Sequence, residues 1–129
     1  DSMMEDGVPS VKVYLTYDRR LNDAEALQVL KRMKELGGVT AFHCENHEVV
    51  EYCRKTYRES GRTSPEYHAK SRPNLAEAEA VARILNLARL AGDAPVYIVH
   101  LSCRESLEAV LDARKRRIYS WRPAHSILP

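Results

Sequence analysis

Apolar residues along this chain occur in short runs that alternate with longer stretches of helical spacing. Three runs are rich in β-branched and aromatic residues, as β-strands prefer, and they cover 11–17, 39–45 and 95–101. Between them, apolar residues recur every three or four positions, which places them on one face of a helix. The pattern predicts an α/β fold with three strands, and Ile118–Tyr119 is expected to begin a fourth.

The helices predicted between the strands each follow a residue suited to cap an N-terminus. These expected caps are Asn22, Asn46, Asn74 and Ser102. Asn22 and Asn74 are followed three residues later by a glutamate, which predicts a capping box at each. The helices are expected to end near Gly37, Ser60, Gly92 and Arg114. The polar, turn-rich stretch 61–73 is expected to lie outside the core.

Alternation of apolar strands with helices is typical of right-handed βαβ units and a parallel sheet covered by helices. Such proteins carry their chemistry at the carboxyl ends of the strands. His43 and His100 each come late in a predicted strand, so the two imidazoles are expected to converge at one edge of the sheet. Two readings stay open for them: a metal or catalytic site, or two hydrogen-bonded histidines at element ends.

Lys12 is unusual because it lies inside an otherwise apolar strand. A buried ammonium is costly unless it is paired or chemically modified, and the alternative is a side chain that reaches out to water. Tyr17 is expected in the loop beyond the strand end, where its hydroxyl could approach a substrate. Strand alternation turns Cys44 away from His43 and predicts a packing role. The histidines in polar context, expected to face solvent, are His47, His68 and His125.

Composition narrows the class of protein. The chain has 129 residues with 20 Lys+Arg against 18 Asp+Glu, and this net charge of +2 gives no broad basic field for nucleic acid. The basic run Arg114–Arg117 is expected at a helix C-terminus. No apolar run approaches the roughly 20 residues that span a bilayer, and the acidic start is unlike a signal peptide. Three cysteines without a C-x-x-C pair favour a reducing cytoplasm.

Taken in order, these segments resemble the dihydropyrimidinase and D-hydantoinase family of cyclic amidohydrolases. Residues 7–17 resemble the family's fourth barrel strand. The sequence F-H-C-E-N at 42–46 resembles its H-A-E-N motif, with Cys44 in place of alanine. The connection that follows and the sixth strand are matched by 63–80 and 97–102. Order and spacing agree over about 5–119.

The resemblance implies a partial (β/α)8 barrel and descent from enzymes that use two zinc ions to hydrolyse hydantoins and dihydropyrimidines. By position, Lys12 would be the carboxylated lysine that bridges the two metals. His43 and His100 would bind the second metal. Tyr17 would hydrogen-bond the substrate carbonyl and its developing oxyanion. Carboxylation would also explain the lysine, because CO₂ turns the cation into a carboxylate-like ligand.

This sequence also departs from the family. A complete barrel needs roughly 250 residues, whereas this chain matches strands four to six. It lacks the first-strand H-x-H pair and the aspartate that acts as general base. The resemblance therefore implies at most one partial zinc site, and this chain alone is expected to have little or no activity. The alternative is a non-catalytic, self-associating module that retains relic metal-site residues.

Two further expectations concern the ends of the matched region. After about Ser120 the sequence departs from the family's E-T-C-P-Q-Y, and permissible codons would spell that motif in another frame. We therefore hypothesise a partial barrel over 1–119 and a frameshifted, divergent tail over 120–129. A slab of three or four barrel strands exposes two edges and an apolar inner face, which predicts a homodimer or higher homo-oligomer.

Overall fold

The computed structural model describes residues 1–119. Its elements are α1 (Ser2–Glu5), β1 (Ser10–Tyr14), α2 (Asp23–Glu35), β2 (Val39–His43), α3 (His47–Glu59), α4 (Glu66–Lys70), α5 (Asn74–Leu90), β3 (Val96–Ile98) and α6 (Arg104–Tyr119). The divergent tail predicted over 120–129, with His125, lies outside the described residues. No helix in the described part is both long and apolar enough to cross a bilayer.

The three strands form one parallel sheet in the order β1-β2-β3. Lys12 pairs with Ala41, which pairs with Tyr97 in β3, and two residues further along the strands Tyr14 pairs with His43. This arrangement confirms the predicted α/β class with parallel strands between helices. All three strands run the same way, so their carboxyl ends lie at one edge of the sheet.

The two faces of the sheet have different surroundings. On one face, helices bury Phe42 completely, in a core that includes Leu30 and Ile84. Successive strand residues point to opposite faces, so Lys12 and Tyr97 share the other face. That face is uncovered: Lys12 is exposed and Tyr97 is 62% exposed. Of the two interpretations of Lys12, the structure supports the one in which the side chain reaches out to water.

Helix starts follow the sequence where the capping interaction is local. Asn22 Oδ1 accepts a hydrogen bond from the Glu25 amide at 2.9 Å, and Glu25 Oε2 accepts one from the Asn22 amide at 2.8 Å. The capping box predicted before α2 is therefore confirmed. Asn46 Oδ1 accepts from the Val49 amide at 3.1 Å and caps α3.

Three local predictions are wrong. Asn74 is the first residue of α5 and does not cap it, because Glu77 is engaged by Ser102. Ser102, held in this way, does not cap α6, which begins at Arg104. No strand begins at Ile118–Tyr119, because α6 packs along α5 and continues to Tyr119. Its basic run, Arg114–Arg117, consists of good helix formers.

The polar stretch 61–73 contains the short helix α4 and two side chains that are withdrawn from water. Ser71 is buried, and its hydroxyl donates to the His68 carbonyl at 2.8 Å. The Arg72 side chain is 15% exposed. The segment therefore reaches back against the carboxyl edge of the sheet.

Candidate functional site

The candidate site lies at the carboxyl edge of the sheet. Tyr14 is the last residue of β1 and His43 the last of β2, and they are register partners. His100 lies in the turn after β3, two residues beyond Ile98. Parallel topology thus brings together side chains from three segments that are far apart in sequence.

The two histidines face each other directly. His43 Nδ1 lies 2.8 Å from His100 Nε2, with ring centroids 4.6 Å apart. His43 is only 8% exposed, whereas His100 is exposed. His100 has φ 37, a left-handed conformation that is uncommon outside glycine. The structure therefore confirms that these two imidazoles converge.

Glu45 and Arg72 hold the other side of the His43 ring. His43 Nε2 lies 2.7 Å from Glu45 Oε2, and the same oxygen accepts a hydrogen bond from Arg72 Nη1. Burial alone would raise the pKa of the Glu45 carboxyl. Hydrogen bonds from His43 and Arg72, with the charge of Arg72, outweigh burial and lower that pKa. Glu45 is therefore an ionised carboxylate that fixes one edge of the imidazole.

This contact assigns the protons of the His43 ring. An ionised carboxylate only accepts hydrogen bonds, so the proton between His43 and Glu45 is on His43 Nε2. In the neutral ring, Nδ1 then carries the lone pair that faces His100. A histidine whose second nitrogen donates to a carboxylate is the usual arrangement of a metal ligand, because the carboxylate fixes the tautomer and raises ligand basicity.

Tyr17 joins the cluster from the loop after β1, as its position predicts. Its ring centroid lies 5.2 Å from that of His43, and the Arg72 guanidinium carbon is 5.4 Å from the Tyr17 ring centroid. Tyr17 has φ 71, which is unfavourable for a bulky residue. Strained backbone of this kind persists only where the surroundings over-determine it and is concentrated at functional sites.

Lys12 lies on the same face of the sheet as Tyr14 and two residues before it in β1. Its Nζ is 5.2 Å from the Tyr14 ring centroid, and the Tyr14 ring is 5.7 Å from that of His43. The described residues include no group of three or more His, Cys, Asp or Glu side chains placed to hold a metal. The arrangement is a pair of facing imidazoles with a lysine nearby.

Three of the residues considered in the sequence analysis lie outside this cluster. Cys44 is 3% exposed in the core, as predicted, and burial raises the pKa of its thiol to about 12. His47 was expected to face solvent, but it is half-buried, with Nδ1 3.3 Å from Thr16 Oγ1. His68 is exposed on α4, as predicted.

The pair of imidazole nitrogens fits a zinc ion with a small adjustment. Two nitrogens bound to tetrahedral zinc at 2.0–2.1 Å lie about 3.3 Å apart, compared with 2.8 Å between His43 Nδ1 and His100 Nε2. A metal would require a lone pair on each nitrogen, so a proton between His43 Nδ1 and His100 Nε2 would have to leave or move to His100 Nδ1. The outer carboxylate that such a ligand needs is already present as Glu45.

Sequence reasoning did not assign Arg72 to the site. It lies in a stretch that pattern alone placed outside the core, and its partner Glu45 is 27 positions away. The sequence signal that could have pointed to Arg72 was its place in the segment that matches the connection after the H-A-E-N motif. A match of that kind locates a residue in the family without saying what its side chain contacts.

No family model matches the chain, but individual proteins and structures do. D-phenylhydantoinases from Escherichia coli strains are 47% identical over 119 residues, which is 92% of this chain and 26% of theirs. Solved structures of D-hydantoinase from a Bacillus species and of dihydropyrimidinase from Brevibacillus agri superpose with TM-scores of 0.87 and 0.86. Their identities are 35% and 37%, over 90% of this chain and 26% of theirs. The chain thus spans about a quarter of the length of these relatives.

Proposed function

Because this chain belongs to the dihydropyrimidinase and D-hydantoinase family, we propose that it derives from a zinc-dependent hydrolase of cyclic amide C–N bonds and carries one partial zinc site. The observation that supports this most is the pair of facing nitrogens of His43 and His100. The carboxylate of Glu45 on the far side of the His43 ring adds the outer partner that zinc ligands need.

The proposed metal ligands are Lys12, as a carbamate, and the two histidines. The neutral lysine amine would attack CO₂, forming an N–C bond and losing a proton, which gives a carboxylate-like group. Exposure of Lys12 on the open face leaves the amine accessible to CO₂. When bound, zinc would act as a Lewis acid and lower the pKa of a bound water.

Tyr17 is the proposed substrate-binding residue. Its phenol O–H would donate to the carbonyl oxygen of a hydantoin or dihydropyrimidine and stabilise the negative charge that develops there. Its ring already lies beside His43 and under the Arg72 guanidinium. The donor is therefore preorganised next to the proposed metal ligands.

We expect little or no turnover from this chain by itself. Within the described residues, Glu45 is the carboxylate that hydrogen-bonds to the histidine cluster, and it is engaged by both His43 and Arg72. A general base needs a carboxylate free to accept a proton from water.

We also propose a cytoplasmic location, because a reducing compartment suits three free cysteines.

Native mass spectrometry of the chain incubated with zinc and bicarbonate tests this proposal. We expect one zinc per chain and a CO₂ adduct that is lost on acidification. The Lys12→Ala variant should lose the adduct, and Lys31→Ala, which removes an exposed lysine of α2, should retain it. A metal-free, unmodified chain under these conditions would overturn the partial zinc site.

The alternative function, a self-associating module, has its own supporting observations. β1 and β3 are both edge strands, and Tyr97 is 62% exposed on the uncovered face. A groove of about 630 Å³ also opens between α5, β3 and α6. Exposed strand edges and apolar surface favour pairing with another chain, here a second copy.

Sedimentation velocity over a range of concentrations tests the self-association. We expect a dimer or larger oligomer that Tyr97→Lys weakens. Tyr52→Lys, at an exposed tyrosine of α3, is the matched control and should leave the assembly unchanged. A monomer at every concentration would rule this alternative out.

A further inference from the structure

Arg72 is the most deeply placed charged side chain at the candidate site that the proposed function does not use. It follows α4 and precedes α5, and its side chain is 15% exposed. Its Nε is buried without a hydrogen-bond partner among the described residues. A guanidinium is removed from water only where strong contacts compensate for its lost hydration. The contacts of Arg72 must therefore be strong, and they show what the side chain does at this site.

Two contacts hold it, and they are with different loops. Nη1 donates to Glu45 Oε2, two residues beyond the end of β2. The guanidinium carbon lies 5.4 Å from the ring centroid of Tyr17, three residues beyond the end of β1. Burial alone would lower the pKa of Arg72, but the contacts with Glu45 and Tyr17 outweigh it and raise that pKa. The side chain therefore stays charged and ties the two loops together.

Neither loop is fixed in place by the sheet itself. The strand ladder ends at the pair Tyr14 and His43, so Tyr17 and Glu45 lie beyond its regular backbone hydrogen bonds. Tyr17 also has an unfavourable φ of 71. A planar guanidinium can bond a carboxylate in its plane and stack on an aromatic ring with its face. One arginine can thus fix both side chains at once.

We propose that Arg72 is a positioning residue that clamps Glu45 onto His43 Nε2 and Tyr17 beside the His43 ring, so that the His43 Nδ1 lone pair is aimed at His100. The inference rests on the proposed function for its consequence at a metal. The contacts of Arg72 with Glu45 and Tyr17 are present in the metal-free chain, so they can be tested without any ligand.

The hydrogen bond from His43 Nε2 to Glu45 provides the direct readout. A bonded imidazole N–H inside a protein exchanges slowly with water and gives a resolved proton signal in ¹⁵N-edited NMR spectra. We expect this signal in the wild-type chain, its loss in Arg72→Ala, and its partial return in Arg72→Lys. Lysine supplies the charge for Glu45 but not the planar face for Tyr17.

Arg83→Ala is the matched control. Arg83 is also a partly buried arginine in ion pairs, with Asp23 and Glu79, and its hydrogen bonds go to those two carboxylates and not to Glu45. If Arg72 merely stabilised the fold, both alanine variants would lower the free energy of unfolding and neither would alter the imidazole signal. We expect only Arg72→Ala to remove that signal.

Titration with Co²⁺, a spectroscopic substitute for zinc, gives the second readout. We expect Arg72→Ala to weaken Co²⁺ binding by about 10–100-fold, the range found when outer partners of metal ligands are removed. Arg83→Ala should bind Co²⁺ as the wild-type chain does. Arg72→Lys, which keeps the charge, provides the comparison if the alanine variant does not fold.

The outcomes separate the two ideas. A wild-type chain that shows the imidazole signal but binds no Co²⁺ refutes the partial metal site, while loss of the signal in Arg72→Ala still supports the clamp. An imidazole signal that persists unchanged in Arg72→Ala overturns the clamp, whatever the metal result. Absence of the signal from the wild-type chain overturns it as well.

Discussion

His43 Nδ1 lies 2.8 Å from His100 Nε2, although 57 positions separate the two residues in the chain. The parallel pairing of β2 with β3 explains this proximity. Phe42 and Ile98 are register partners, so the chain beyond each emerges at the same edge of the sheet. The left-handed conformation of His100 then leaves its imidazole facing the end of β2.

If these two nitrogens form the core of a metal site, removing one should abolish most of the affinity. We expect His100→Ala to weaken Co²⁺ binding by more than the roughly 10–100-fold that loss of an outer partner costs. Because His100 is exposed, its own packing contributes little, so the loss should appear mainly in Co²⁺ affinity and less in the free energy of unfolding. His68→Ala, at an exposed histidine of α4, is the control, and equal affinities in all three chains would contradict the assignment.

Glu77 should make stability depend on pH. Burial alone would raise its pKa, but hydrogen bonds from Ser102, Ser106 and Cys103 outweigh burial and lower it. A carboxyl whose pKa is lower in the folded state stabilises the fold above its unfolded pKa of about 4.3, and this stabilisation is lost as pH falls through the folded value.

Glu77→Gln should therefore lower the free energy of unfolding by about 1–2 kcal/mol near pH 7. The difference from the wild-type chain should shrink below about pH 4, where the wild-type carboxyl becomes protonated. Urea unfolding across this pH range measures it. Glu35→Gln, at an exposed carboxylate paired with Arg32, should have little effect at any pH. A constant difference between Glu77→Gln and wild type would contradict the pKa direction.

Cys44 should be chemically inert in the native chain. Its thiol is buried and has a pKa of about 12, so at pH 8 it has roughly 1,000-fold less thiolate than an ordinary cysteine. Titration with a thiol reagent should show two faster thiols, Cys53 and Cys103, and a third that reacts on unfolding. Cys44→Ala should remove only that slow phase, and three equally fast thiols in native protein would show that the core is open.

The two faces of the sheet should respond differently to truncation of an aromatic residue. Phe42→Ala removes a completely buried ring and should lower the free energy of unfolding by about 3–5 kcal/mol. Tyr97→Ala, on the uncovered face, should change it by about 0.5 kcal/mol or less at concentrations where the chain is monomeric. Equal costs measured by urea unfolding would mean that the open face is packed against something.

Local patterns predicted the elements well where the interactions are themselves local. The capping box of Asn22 and Glu25 is confirmed because both hydrogen bonds join residues three positions apart. Asn46 caps α3 for the same reason. The prediction also placed His43 late in a strand over 39–45, and β2 ends at His43 itself.

The same kind of pattern failed where a distant residue competes. Asn74 and Glu77 have the spacing of a capping box, but Glu77 accepts hydrogen bonds from Ser102, 25 positions away. Ile118 has strong β-propensity and lies in α6 all the same. Packing of α6 along α5 outweighs the propensity of single residues.

The sequence by itself determined the order of the three strands along the chain, the positions of the two histidines at or just beyond strand ends and the family that these segments resemble. Only the tertiary structure decided that Lys12 is exposed and that Arg72 joins Glu45 to Tyr17. The reason is physical: a residue's period along a strand says which face it takes, but burial depends on what covers that face. Likewise, the partner of a long side chain depends on which loops the fold brings within its reach.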